Sequence, residues 1–178
     1  MGHKQIGEVE ILIRSSHGNS ASIRRLDPPN ADLIRSLVRS FRSARTARLK
    51  FLNDLHTEEE DYEFISRKLL VENQVWIAEI SGVVAGFIAF HDDWVNQLYI
   101  APEYQRRGIG RDLLAVAKRG KTMLQLWVFE VNEPAIRFYE RQGFVVVERT
   151  DGSANEAKMP DLRMQWAPDA RAQFTPYA

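Results

Sequence analysis

The stretch Gln105-Arg106-Arg107-Gly108-Ile109-Gly110 places two glycines and two arginines within six residues, a combination that can hold an anion. Glycines at a strand-to-helix turn let backbone N–H groups approach a ligand closely, and the positive end of the helix dipole favours negative charge there. The arginines add full charges. By itself the pattern marks backbone geometry as readily as a phosphate site. It lacks the spacing of the dinucleotide fingerprint and the Gly-Lys-Ser/Thr ending of a triphosphate loop. A second pair of residues lies downstream. Asn132 and Tyr139 are seven residues apart, close to two helical turns, so an amide and a phenol share one helix face and can address one elongated polar ligand. Read singly, they are a helix-capping asparagine and a half-buried tyrosine.

The elements that must position these groups follow from hydrophobic period. Residues 94–100 form an aromatic and β-branched strand leading into the loop, and Leu113, Leu114 and Ala117 share a face with Gly110 at helical spacing after it. Upstream, residues 21–26 read as a first strand closed by Asp27-Pro28-Pro29. Leu33, Ile34, Leu37, Val38 and Phe41 mark an amphipathic helix over 31–45. Its Arg35, Arg39, Arg42 and Arg45 form a basic stripe, read as a solvated face or, alternatively, as a surface for an anionic ligand or partner. Thr57-x-x-Glu60 is a capping box that opens a second helix, with Tyr62, Ile65 and Leu69 on its apolar face.

Residues 74–80 and 83–90 make a hairpin through Ser81-Gly82, and His91-Asp92-Asp93 turns the chain into 94–100. A strand over 124–131 then meets a helix capped by Asn132, with Pro134 in its first turn and Gly143 at its end. Residues 144–148 return as a strand, 151–161 are a polar loop, and 162–166 close the sheet. This order predicts one domain over 21–178, of mixed α/β (α+β) class. Residues 1–20 contain a possible short strand at 9–13 but read as a flexible arm or an added leader, outside the functional argument.

Composition narrows the chemistry. The chain has 178 residues and no cysteine, which excludes disulfides and thiolate metal sites and fits a reducing, cytoplasmic setting. Its 24 basic and 24 acidic residues cancel, so nothing in net charge points to nucleic acid or a membrane surface. No apolar run is long enough to span a bilayer. His3, His17, His56 and His91 are scattered without paired ligand spacing, and no metal is expected.

In this order and separation, the glycine loop and the Asn132…Tyr139 helix resemble the GNAT superfamily of acetyl-coenzyme A-dependent N-acetyltransferases. The resemblance covers about 21–166, including Gly86-Phe87-Ile88-Ala89 and Leu98-Tyr99-Ile100-Ala101-Pro102. It extends to Leu55-His56-Thr57 and to Thr150-Asp151-Gly152…Asn155-Glu156…Pro160-Asp161, found in bacterial members. It implies a mixed, mostly antiparallel sheet of six to seven strands, splayed at the cofactor site and flanked by about four helices. Backbone groups of Leu98, Tyr99 and Ile100 would pair with the pantetheine arm. Gln105, Arg106, Arg107, Gly108, Ile109, Gly110 and Arg111 would hold the pyrophosphate, Asn132 would bond the arm, and Tyr139 would approach the sulfur. The implied reaction is direct attack of an amine on the thioester in a ternary complex. The N–H of Tyr99 or Ile100 would stabilise the oxyanion, and Tyr139 would donate to the departing sulfur. A homodimer is among the assemblies that such a resemblance implies.

The amine's own proton needs an acceptor. Where many such proteins carry an acid, this chain has Asn96-Gln97, neither of which is a base. Asp92 and Asp93 are the nearest carboxylates in sequence, Glu79 and Glu130 lie further off, and His56 joins them if its loop folds over the pocket. Asp151, Glu156 and Asp161 form an acidic lip or ordinary solvated turn chemistry. Phe51, Leu55, Trp94 and Trp127 are candidates to line the acceptor side, or are core. The acceptor itself stays open among a polyamine-like molecule, an amino acid, an aminoglycoside-like compound and a protein amine. Two rival readings stand beside the enzyme. Asn96-Gln97 would suit a non-catalytic acyl-coenzyme A sensor, and the arginine stripe would suit a partner-binding domain.

Overall fold

The computed structural model describes residues 10–13, 21–27, 29–46 and 49–168. Eight strands form one sheet: β1 (Glu10–Ile13), β2 (Ala21–Arg25), β3 (Gln74–Ile80), β4 (Val83–His91), β5 (Trp94–Ile100), β6 (Leu124–Phe129), β7 (Val145–Thr150) and β8 (Asp161–Trp166). Their spatial order is β1-β2-β3-β4-β5-β6-β8-β7. Every neighbouring pair is antiparallel except β5 and β6. The mixed α/β expectation therefore holds, with seven strands from Ala21 onward. The segment read as an arm supplies the eighth: Glu10 to Ile13 pair with Arg24 to Ala21, because an edge strand offers unpaired N–H and C=O groups to any extended neighbour.

Helices cover both faces. On one lie α1 (Ala31–Thr46), α2 (Lys50–Leu55) and a bent helix made of α3 (Glu58–Glu63), a π-helical stretch (Phe64–Leu69) and the single turn α4 (Leu70–Glu72). On the other lie α5 (Ile109–Lys118) and α6 (Glu133–Arg141). Asn30 Oδ1 accepts the Leu33 N–H at the start of α1, and the Thr57–Glu60 capping box forms as its sequence requires. Helix α2 is too short and too weakly periodic to be legible in the sequence.

Strand alternation divides the core between the two faces. Val75 and Ile77 join Leu37, Val38, Phe41, Ile65 and Phe87 under α1 and the bent helix. Trp76, Ala78 and Ile80 join Ile88, Leu113, Leu114, Leu126 and Met164 beneath α5 and α6. Burying such side chains stabilises the fold by about 1.5–3 kcal/mol each. The centre of the sheet is β4, buried from Val84 to Phe90, which explains its nearly unbroken apolar run. The Ser81-Gly82 turn has positive φ at both residues, 51° and 78°, the twist that a two-residue hairpin prefers.

Candidate active site

The feature that makes a site is the seam between β5 and β6. These parallel strands share one paired position, Trp94 with Gln125, reinforced by the Gln125 N–H to the Asp93 carbonyl at 2.7 Å. Beyond it they diverge, and no later residue of β5 meets β6 in the ladder. Two cavities of about 510 and 200 Å³ occupy the resulting gap. Leu49, Leu98, Tyr99, Asn132, Ala135 and Tyr139 border both, so the larger and the smaller cavity meet at the two tyrosines.

Gly86 sets how β5 arrives at the gap. A Cβ there would lie 2.5 Å from both the Tyr99 carbonyl oxygen and Ile100 Cδ1, so only glycine permits this approach. The Ala101 N–H donates to the Ala85 carbonyl at 2.9 Å. Since successive N–H groups of a strand alternate sides, Tyr99 also directs its N–H toward β4, while Leu98 and Ile100 direct theirs toward the gap. Of the three strand residues expected to meet a ligand, Leu98 and Ile100 face the gap with their backbone, and Tyr99 borders both cavities. Gln105 Nε2 donates to the Ile100 carbonyl at 3.0 Å and ties the glycine loop to the strand end.

Within the loop, Arg106 and Gly108 both take left-handed backbone, at φ 60° and 85°. Gly108 is the residue that precedes α5, whose first N–H groups have no acceptor in their own helix. The Asp112 N–H makes the first helical bond, to the Gly108 carbonyl at 3.0 Å. Gly110 faces Phe138, with an added Cβ only 3.4 Å from that ring. Gln105, Arg106, Gly108, Ile109, Gly110 and Arg111 all border the larger cavity, whereas Arg107 turns to the Tyr104 ring, 5.4 Å from its centroid.

From α6 come the other two expected groups. Asn132 occupies the cap position but its side chain makes no cap hydrogen bond, contrary to the capping role read from sequence. Its carbonyl serves the helix by accepting from Ala135 and Ile136, which leaves the amide at the cavities. Pro134 in the first turn and Gly143 at φ 87° behave as expected. Tyr139 is only 8% exposed. Burial raises its hydroxyl well above the ordinary tyrosine value, and nearby Tyr99 adds to the effect. Burial likewise pushes Tyr99 up to about 12, with Arg45 opposing and Asp61 adding.

The arginine stripe does not survive as one surface. Arg45 is 4% exposed and Asp61 3%; their side chains meet at 2.5 Å, and Arg42 bonds the same carboxylate oxygen. Arg45 also lies over the Phe41 ring at 4.0 Å, and Phe41 meets Tyr99 edge-on at 4.9 Å. Arg42 further donates to the His56 carbonyl at 3.0 Å. Arg35 lies over Tyr62, and Arg39 bonds Ser36 on the exposed surface. The inner half of the stripe thus supports Tyr99 through Phe41.

Neither cavity is bordered by Asp92, Asp93, Glu79 or Glu130, the carboxylates expected from sequence as the base. Glu79 pairs with Arg24, Glu130 with Arg149, Asp93 with Lys121, and Asp92 with His91. His56 sits 3.3 Å from Glu156, which joins its loop to the acidic lip. Asp151 instead caps the Ser153 N–H. The carboxylate that does border the smaller cavity is Asp161, alongside Asn96, Gln97, Trp127 and Phe129. Sequence placed Asp161 in the lip but gave no sign that the sheet register sets it opposite Phe129. Of the expected acceptor-side residues, Trp127 borders the cavity, Phe51 packs edge-on against Phe129 at 5.6 Å, Leu55 is exposed, and Trp94 sits at the vertex of the gap.

Comparison with known proteins gives the family and the fold. The family model for the acetyltransferase (GNAT) family matches residues 34–144. The peptidyl-lysine N-acetyltransferase YiaC of Escherichia coli is 33% identical over 98 residues, 54% of this chain and 66% of YiaC. An uncharacterized N-acetyltransferase of Archaeoglobus fulgidus is 30% identical over 140 residues, 67% of this chain and 90% of that protein. The solution structure of apo-form YjaB from E. coli superposes with a TM-score of 0.64 at 27% identity, covering 82% of this chain and 97% of YjaB. The chain spans slightly less than two thirds of YiaC's length. With the splayed seam, the glycine loop and the family match together, the chain belongs to the acetyltransferase (GNAT) family.

Proposed function

We propose that this protein transfers an acetyl group from acetyl-coenzyme A to a primary amine, by direct attack within a ternary complex. The observation that carries this reading is the meeting of two cavities at Tyr99 and Tyr139 within an unpaired sheet seam. The loop cavity suits the donor and the smaller one the acceptor. At the loop, N–H groups around Gly108 to Arg111 suit a pyrophosphate, with Arg106 and Arg111 supplying charge. The gap-facing N–H and C=O groups of Leu98, with the Ile100 N–H and the Asn132 amide, suit the amide-rich pantetheine arm.

The chemistry divides among the same groups. The amine lone pair attacks the thioester carbonyl carbon, and the Ile100 or Leu98 N–H stabilises the negative oxygen that develops. As the C–S bond breaks, sulfur departs with its electron pair. Tyr139 stays protonated at any working pH, because burial holds its hydroxyl above the usual value near about 10. A coenzyme thiol titrates near about 8.5, so complete transfer from Tyr139 is uphill. Its role is a hydrogen bond to the departing thiolate. The amine's proton leaves through water, since Gln97 and Asn96 beside the acceptor cavity cannot accept it. A screen of primary amines scored by thiol release tests the reading; release with at least one amine supports it, and none with any amine despite saturable acetyl-coenzyme A binding contradicts it.

A further inference from the structure

Asp161 stands apart from the other acids around it. Its two oxygens accept from neutral donors, Thr150 Oγ1 at 2.5 Å and Asn155 Nδ2 at 3.0 Å. The Thr150–Asp161 loop is shaped to hold it there: Asn155 Nδ2 also donates to the Met159 carbonyl, and Gly152 lies so close to Met159 that a Cβ would stand 2.2 Å from its backbone. Nearby carboxylates have cations: Glu130, just past the end of β6, pairs with Arg149, and Glu148 of β7 with Arg163. Among the described residues no cation pairs with Asp161, and it borders the acceptor cavity. Phe129 lies directly opposite it in the ladder, and Trp127 two residues along shares that sheet face. Trp127, opposite Arg163 in the ladder, is 43% exposed.

We infer that Asp161 and the Trp127 ring bind a second, non-reacting cation of the acceptor, which makes the acceptor a small aliphatic diamine. The inference rests on the acetyl-transfer reading above. A carboxylate that gripped the reacting ammonium would keep it protonated and suppress its nucleophilicity. Holding a distant ammonium has no such effect, and it fixes the chain so that its other nitrogen points toward Tyr99 and Tyr139. The ring face of Trp127 supplies cation–π attraction beside the carboxylate. Asp161 is thus a specificity-determining residue, and it takes no proton from the nucleophile.

The test uses 1,4-diaminobutane and 1-aminobutane with the full chain and acetyl-coenzyme A. Calorimetry in the presence of coenzyme A measures amine binding, and thiol release measures transfer. The diamine should bind and react at least tenfold better than the monoamine, expressed mainly in KM. Asp161→Asn, similar in size, should abolish that preference, the diamine's KM rising about tenfold toward that of 1-aminobutane. Trp127→Leu, at an exposed position that leaves folding intact, should weaken diamine binding about three- to fivefold. Equal affinity for the two amines, or a preference that persists in Asp161→Asn, overturns the inference even where thiol release from other amines upholds the transferase. Diamine binding that depends on Asp161 without thiol release upholds the site and overturns the transfer reading instead.

Discussion

Replacing Gly86 with alanine adds one methyl group where β4 passes β5. That carbon would stand 2.5 Å from the Tyr99 carbonyl oxygen, 2.5 Å from Ile100 Cδ1 and 3.1 Å from Ile100 Cα. The side-chain atom can rotate away, but the two backbone atoms cannot. Ordinary contact requires β5 to retreat by about 0.5–1 Å. Overpacking of this kind costs about 1–3 kcal/mol, and for a chain of this size each kcal/mol lowers Tm by about 2–4 °C, so a fall of about 2–12 °C is expected. The displaced residues include Leu98 and Ile100, whose gap-facing backbone is proposed to hold the pantetheine arm. A misplacement near 1 Å at such groups weakens their joint action strongly, and acetyl-coenzyme A affinity should drop about tenfold or more. Gly120→Ala is the control: its φ is 68° and nothing lies within 4 Å of an added Cβ. It should cost about 1 kcal/mol of backbone strain and leave the affinity unchanged. Calorimetry with acetyl-coenzyme A and thermal denaturation of both variants decide the matter. Gly86→Ala that melts early yet binds the cofactor at full strength would refute the assignment of this strand as the binding edge.

Three further outcomes follow from the same geometry. Asp61→Leu should lose about 3–5 kcal/mol in denaturant titration because it strands the buried Arg45, whereas Arg45→Met/Asp61→Leu should return to within about 2 kcal/mol of the native protein; additive costs would mean the pair is not coupled. Tyr139→Phe should slow turnover about tenfold or more, and between pH 7 and 10 the native rate should show no tyrosine ionisation, since burial raises that hydroxyl; an unchanged rate removes Tyr139 from the chemistry. Tyr99 has its folded value raised to about 12, so its contribution to stability is complete below the unfolded value near about 10 and is lost as pH rises toward 12. Tyr99→Phe should therefore show a smaller loss of Tm than the native protein between pH 10 and 12, and an equal loss would count against burial as the cause.

Much of the fold was legible because local signals agreed with the final packing. The Thr57 capping box, the Ser81-Gly82 turn, Pro134 and Gly143 each fix a boundary through backbone chemistry that acts over a few residues. The glycine loop and Tyr139 were legible for the same reason, being set by a turn and by helical spacing. What escaped depends on contacts distant in sequence. The arginine stripe looked solvated because Asp61, sixteen residues beyond Arg45, gives no periodic sign that it will fold inward. Asp161 has only the local signature of a charged loop, because its place beside Phe129 comes from the pairing of β6 with β8, between residues 32 positions apart in sequence (161 − 129). Strand β1 is too short for pattern alone, and only the open edge of β2 selects it.

Direct transfer at the splayed seam is tested most directly by mixing the protein with acetyl-coenzyme A, with and without a panel of primary amines, and following intact protein mass together with free thiol. The account predicts that acetyl-coenzyme A alone leaves the protein mass unchanged and the thioester intact, and that an acceptor amine then yields one thiol and one acetylated amine per turnover. An acetyl group appearing on the protein before the amine is added, or no thiol with any amine while the cofactor binds saturably, would contradict it.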